Sequence, residues 1–230
     1  MEIFMGKAWK SLIITASIAL VGAVAFASGG PGMTAGEALK MMMDGNKRYV
    51  ENQMQAQKHS DPAMRQALAR SQKPYAIVLS CSDSRVPPEI IFDKGLGEIF
   101  VIRVAGNIPD SLVLGSIEYA AEHLGSPLIM VLGHERCGAV TATVEAKGKP
   151  QGNIGAIVKT ISPAVKQAKK EYKGNDKSQL VEKASDINIK MVSASIIKGS
   201  PVIRHLVKEG KVKIVDAKYD LDDGKVTLMK

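Results

Sequence analysis

Three short apolar runs, at residues 75–80, 99–104 and 128–132, constrain the fold of this chain most strongly. Each is too short for a core helix and lacks the polar alternation of a half-exposed strand, so each reads as a strand buried on both faces. Between the last two lies a helical stretch, 111–124, with Leu112, Leu114, Ile117, Tyr119, Ala120 and Leu124 near helical spacing. Strand, helix, strand implies a right-handed parallel crossover. Upstream, Thr34 and Glu37 have the spacing of a capping box and open a helix through Ala38, Leu39, Met42, Met43 and Tyr49. Asp61-Pro62 opens a second, to about residue 70.

Downstream, residues 139–146, 154–172 and 178–198 read as helices, and Ser200-Pro201 starts another that Gly210 stops. Residues 211–220 and 225–229 alternate around Asp222-Asp223-Gly224, a hairpin signal. The expected fold is a single α/β domain over residues 34–230. Its central sheet is mostly parallel, with an antiparallel C-terminal strand, covered by helices and preceded by an N-terminal helical arm.

Residues 1–27 do not fit that pattern. Lys7 and Lys10 precede an uncharged apolar run, 12–26, that ends in Ala25-Phe26-Ala27, as a secretory signal peptide does. The run is short for a bilayer span, which needs about 20 apolar residues. Cleavage after Ala27 would leave 28–33 as a flexible mature terminus and the protein in the periplasm or outside the cell, with no stable membrane insertion. The formal charge of +8 does not imply nucleic acid, because the lysines are dispersed and aromatic residues make up only 4% of the chain. Two cysteines are too few for a disulfide scaffold.

Both cysteines fall where chemistry collects in a parallel sheet, beyond the carboxyl ends of strands. Cys81-Ser82-Asp83-Ser84-Arg85 follows the first strand and His134-Glu135-Arg136-Cys137 follows the third. Zinc favours thiolate and imidazole, and a catalytic zinc keeps three protein ligands and one open position. Cys81, His134 and Cys137 are the candidate ligands. A simple disulfide between the cysteines is the alternative in an oxidising compartment. His59, His123 and His205 lack cysteine neighbours and read as surface or packing residues.

The pair of motifs Cys81-Ser-Asp-Ser-Arg85 and His134-x-x-Cys137-Gly138 resembles the signature of the β-class carbonic anhydrases. Val86-Pro-Pro-Glu89, Phe100-Val-Ile-Arg-Val-Ala-Gly-Asn107, Ser116-Ile-Glu-Tyr-Ala120 and Tyr219-Asp-Leu221 extend the likeness in order. The resemblance implies reversible hydration of carbon dioxide to bicarbonate by zinc-activated water, with one Zn2+ per chain on Cys81, His134 and Cys137. It makes Asp83 and Arg85 the dyad beside the metal, with Asp83 as a fourth ligand in a closed state. Gln72, Phe100, Tyr119 and the Gly138 N–H match positions that receive substrate or bicarbonate. Val78 stands where a bicarbonate-inhibited subgroup carries tryptophan, so the likeness does not extend to that inhibitory site. The resemblance also implies a homodimer, or a higher assembly of dimers, and Met41, Met42 and Met43 suggest an N-terminal helix with one face for the core and one for a partner.

Two other functions share these motifs. One is hydrolysis of carbon disulfide or carbonyl sulfide on the same scaffold. The other is an exported, non-catalytic binding protein that holds zinc or a disulfide.

Overall fold

The computed structural model describes residues 32–148, 150 and 152–230; the segment read as a signal peptide lies outside them. Five strands, β1 Ala76–Ser80, β2 Ile99–Arg103, β3 Leu128–His134, β4 Lys213–Tyr219 and β5 Val226–Leu228, form one sheet in the order β2-β1-β3-β4-β5. The first four run parallel, and β5 pairs antiparallel with β4 as the hairpin signal implied. Every residue of β1 and β3 is buried, in keeping with their apolar sequences. β2 departs from the expectation of burial on both faces. It is an edge strand with β1 as its one neighbour, and its residues are half-buried or exposed.

Among the described residues, eight α-helices accompany the sheet: α1 Ala35–Val50, α2 Pro62–Leu68, α3 Pro88–Ile91, α4 Ser111–Glu118, α5 Gly138–Glu145, α6 Ile154–Glu171, α7 Lys177–Gly199 and α8 Pro201–Lys208. Local sequence starts them as expected. Thr34 and Glu37 form the capping box of α1, Asp61 accepts from Met64 N–H at 2.8 Å, and Ser200 caps α8. α4 ends sooner than the 111–124 periodicity suggests, because Tyr119–His123 winds as a π-helical turn closed by Leu124 N–H to Tyr119 O at 3.3 Å. α3 has no sequence counterpart. Four residues are too few to show a period, and Pro88 in its first turn was the available signal.

One face of the sheet packs against α1 and α3, through Met42, Val78, Ile91, Phe92 and Met130. The other packs against α4, α7 and α8. Met42 is buried, and Met41 and Met43 are half-buried and pack against the same core. α1 sits unusually close to the turn after α3, since a Cβ on Gly45 would lie 1.8 Å from the Phe92 carbonyl oxygen. Asp93, at φ 48°, locks this corner by accepting from Arg48 Nε at 2.5 Å and from the N–H groups of Gln55 and Ala56 at 2.8 and 2.7 Å. Asn46 ties α1 to the far end of the chain: its Nδ2 donates to Gly224 O at 2.9 Å and its Oδ1 accepts from Val226 N–H at 2.9 Å.

Candidate metal centre

β1 and β3 are adjacent and in register, so the residues that leave their carboxyl ends emerge side by side. Cys81 directly follows Ser80, His134 is the last residue of β3, and Cys137 stands one position ahead of α5. Their ligand atoms all lie within 4.8 Å of one another. The three residues are 4%, 1% and 3% exposed. Both cysteines are free thiols in this structure. His59, His123 and His205 stand outside the group, as expected.

The donor set has the character of a cation site. His134 Nδ1 lies 2.8 Å from the Glu135 carbonyl, an acceptor, so Nδ1 carries the proton and Nε2 presents a lone pair. That Nε2 is buried without a hydrogen-bond partner among the described residues. A buried, unpaired nitrogen beside two sulfurs is costly unless a cation binds it. The two thiols are coupled: a hydrogen bond from Cys137, with a further one from the Gly106 N–H, drives Cys81 toward the thiolate against the opposing effect of burial, while the bond to Cys81 and burial hold the proton on Cys137. The pair therefore gives up one proton far more readily than an ordinary thiol. Two sulfurs and one imidazole fit zinc with a fourth position left open.

Asp83 stands at the rim of the group. Arg85 clamps it from Nε to Oδ1 at 2.9 Å, from the η2 nitrogen to Oδ2 at 2.8 Å, and from its backbone N–H to Oδ1 at 3.0 Å. These bonds from Arg85 hold the Asp83 carboxyl down at about 2, against the opposing effect of burial. The carboxylate is thus ionised, with Oδ2 3.9 Å from His134 Nε2. Its orientation is the one in which arginine, and not the metal position, has the carboxylate.

Other groups around the site had no role in the sequence reading. Arg103, at the end of β2, donates to the carbonyls of Cys81 and Asp83 at 3.1 and 2.6 Å. Gly106 N–H donates to Cys81 Sγ at 3.3 Å, and Asn188 Nδ2 holds the Gly106 carbonyl at 3.0 Å. Arg136 N–H donates to Glu182 Oε1 at 2.7 Å. Arg103 and Gly106 lie in the Phe100–Asn107 segment noted above, whereas nothing local marks Glu182 or Asn188.

The remaining candidates divide. Gly138 follows Cys137 and is exposed at the start of α5. Gln72, Phe100 and Tyr119 do not join the metal group within one chain. Phe100 pairs with Ile77, four residues before Cys81 and about 13 Å away along the strand. Its ring lies 6.3 Å from that of Tyr119, which is 46% exposed. Tyr119 in turn lines a cavity of about 640 Å³ with Gln72, Arg70 and Lys73, at the amino end of β1.

A protein-family model described as carbonic anhydrase matches residues 76–226. The chain belongs to the β-class carbonic anhydrase family. Carbonic anhydrase 2 of Mycobacterium tuberculosis is 39% identical over 194 residues, which cover 83% of this chain and 91% of that protein. The carbonic anhydrase of Mycolicibacterium smegmatis is 38% identical over 196 residues, with the same shares. In fold, the chain is similar to the Coccomyxa β-carbonic anhydrase solved with acetazolamide, with a TM-score of 0.69 at 24% identity over 83% of this chain and 86% of that one. It is also similar to the tetrameric β-carbonic anhydrases of Sordaria macrospora, at TM-score 0.68 and 22% identity over 83% and 96% of the two chains. The β-carbonic anhydrases are zinc enzymes, and Cys81, His134 and Cys137 fit that ion.

Proposed function

We propose that this β-carbonic anhydrase hydrates carbon dioxide reversibly to bicarbonate and a proton at a centre held by Cys81, His134 and Cys137, with Asp83 and Arg85 as its working dyad. The observation that carries the assignment is the buried convergence of two free thiols and the unpaired His134 Nε2, with an ionised carboxylate 3.9 Å from that nitrogen. Zinc, when bound, supplies a Lewis acid that makes water a nucleophile near neutral pH.

The residues of the chain do the rest. Asp83 accepts a hydrogen bond from the attacking water and so turns a lone pair toward the carbon of the substrate. Arg85 keeps the Asp83 carboxyl ionised and supplies three donors that fix its plane. Carbon dioxide is apolar and needs no charged clamp. The exposed N–H at Gly138 is a donor for the bicarbonate oxygens that form. Gln72, Phe100 and Tyr119 contribute from a second copy of the chain, because their own Cys81 lies too far along β1. That separation supports a homodimer, alone or assembled further.

Residues 1–27 act as a signal peptide cleaved after Ala27, and the enzyme works in the periplasm or outside the cell. The apolar run and its A-x-A end support this reading. No helix among the described residues is long and apolar enough to cross a membrane. The mass of the protein recovered from the exported fraction tests the cleavage position.

Metal analysis with stopped-flow hydration of carbon dioxide tests the centre. Cys81→Ser and His134→Ala should each lose most bound zinc and nearly all activity. Hydration at the parent rate by either variant, purified without zinc, would refute the assignment. Parallel assays on carbonyl sulfide and carbon disulfide separate hydration from hydrolysis on the same scaffold.

A further inference from the structure

The two loops that carry the ligands are both gripped by one helix. On the Cys81 side, the Sγ atom accepts from Gly106 N–H, and Gly106 stands at φ 73° where a Cβ would lie 2.6 Å from Ile161 Cδ1. Its carbonyl accepts from Nδ2 of Asn188, a buried residue of α7. On the other side, Arg136 lies between His134 and Cys137 at φ 49°, in the left-handed region that non-glycine residues seldom occupy. The Arg136 N–H is captured by Glu182, also in α7. Lys218 fixes that carboxylate, with Nζ 2.8 Å from Glu182 Oε2 and 2.7 Å from Asp186 Oδ1. Gly133, directly before His134, lies beneath a third α7 residue, since a Cβ there would meet Ile189 Cδ1 at 2.4 Å.

We propose that α7 is the positioning element of the metal centre, and that Glu182 and Asn188 are positioning residues that set the separation and direction of the Cys81 and His134–Cys137 sides. Neither touches the reacting atoms. Tetrahedral coordination is directional, so a sulfur held at the wrong angle weakens the whole set. Without Asn188 the Gly106 carbonyl loses its donor, the backbone about Gly106 is held less firmly, and the N–H that tempers the Cys81 sulfur shifts. Without Glu182 the Arg136 N–H loses its acceptor, the left-handed residue relaxes, and Cys137 shifts relative to His134. Partners outside the ligand shell of metal sites commonly control affinity in this way. The inference rests on the zinc-centre reading above.

Zinc competition against a chromophoric chelator tests it, together with the thiolate-to-metal absorption band of the Co2+-substituted full chain. Glu182→Ala and Asn188→Leu, which keeps volume but cannot donate, should each bind zinc about 10–100-fold more weakly. Asn188→Leu should also move the absorption band. Glu182→Gln keeps an acceptor oxygen for the Arg136 N–H and should lose less affinity than Glu182→Ala. Lys183→Ala, which removes an exposed pair between α7 and Glu171 of α6, should bind as the parent does. Parent-like affinity and spectra in Glu182→Ala and Asn188→Leu would overturn the inference. So would an equal loss in Lys183→Ala, which would trace the effect to helix stability, or in Glu182→Gln, which would deny the acceptor its part. Should Asn188→Leu fail to fold, the Glu182 pair decides alone. A parent chain that binds no zinc would instead sink the metal-centre reading.

Discussion

At the scale of single residues, the proposed mechanism turns on which cation holds the Asp83 carboxylate. Arg85 has it through three hydrogen bonds, yet Oδ2 is already 3.9 Å from His134 Nε2. Removing the arginine leaves the metal as the best remaining partner for a carboxylate at this rim. Arg85→Ala should therefore keep its zinc, lose about 10–100-fold in kcat, and show a fourth protein ligand by X-ray absorption. Asp83→Asn should keep a solvent oxygen on the metal while losing the acceptor that orients the attacking water. Equal kcat in Arg85→Ala and the parent across pH 6 to 9 would reduce the dyad to a loop-fixing ion pair. Cys81, Asp83, Arg85, His134 and Cys137 were all legible because each lies in a short motif at a strand end. Glu182 and Asn188 were not, because what they hold is distant in the chain and a glutamate or asparagine within a long helix carries no local signal.

At the scale of elements, the corner between α1 and the turn after α3 tests how the packing is stabilised. Replacing a mid-helix glycine with alanine ordinarily stabilises by about 1 kcal/mol. At Gly45 the sign should reverse, because the added Cβ meets the Phe92 carbonyl at 1.8 Å and a backbone oxygen cannot rotate away. Gly45→Ala should cost about 1–3 kcal/mol, read as a lowered urea midpoint. The same corner contains a pH-dependent contact. Burial alone would raise the Asp93 carboxyl, but the bonds from Arg48, Ala56 and Gln55 outweigh it and hold the group below its usual range. A carboxylate lowered by folding binds fewer protons folded than unfolded, so its contribution is complete above the unfolded value of ~3.9 and fades as pH falls through the folded one. Zinc-free Asp93→Asn should be less stable than the parent at pH 7, and the gap should narrow below about pH 4. Thermal melts from pH 3 to 7 check both limbs. Most helices and strands here could be read from caps and periodicity. α3, the π-helical turn and the openness of β2 could not, since the first two are too short for a period and an edge is a property of the sheet order.

At the scale of the whole molecule, Gln72, Phe100 and Tyr119 lie at the wrong end of the sheet for the centre in their own chain. A dimer that brings one copy's pocket to the other's metal predicts complementation. Cys81→Ser and Gln72→Ala chains, each weak or inactive alone, should regain activity when unfolded together and refolded as a mixture. Hybrid dimers then contain one site with intact ligands and an intact glutamine from across the interface. Activity no higher than the average of the separate variants would place Gln72 in its own chain's service, or in none. Light scattering at micromolar concentration should show no monomer. The proposed assembly rests on resemblance, because partner surfaces leave no periodic trace in a sequence.

The bonds from Asn46 to Gly224 and Val226 have a consequence for how the molecule comes into being. They close a loop that spans nearly the entire folded chain, and β4 finds its neighbour β3 only across the intervening α5–α8. Long-range pairings of this kind form late and slowly. During synthesis α1 therefore waits for the last hairpin to leave the ribosome before its buried asparagine can be satisfied. Until then the nascent chain has an unfinished core, open to chaperones, and the proposed exported protein would stay threadable through a narrow channel until the β4–β5 hairpin had been made.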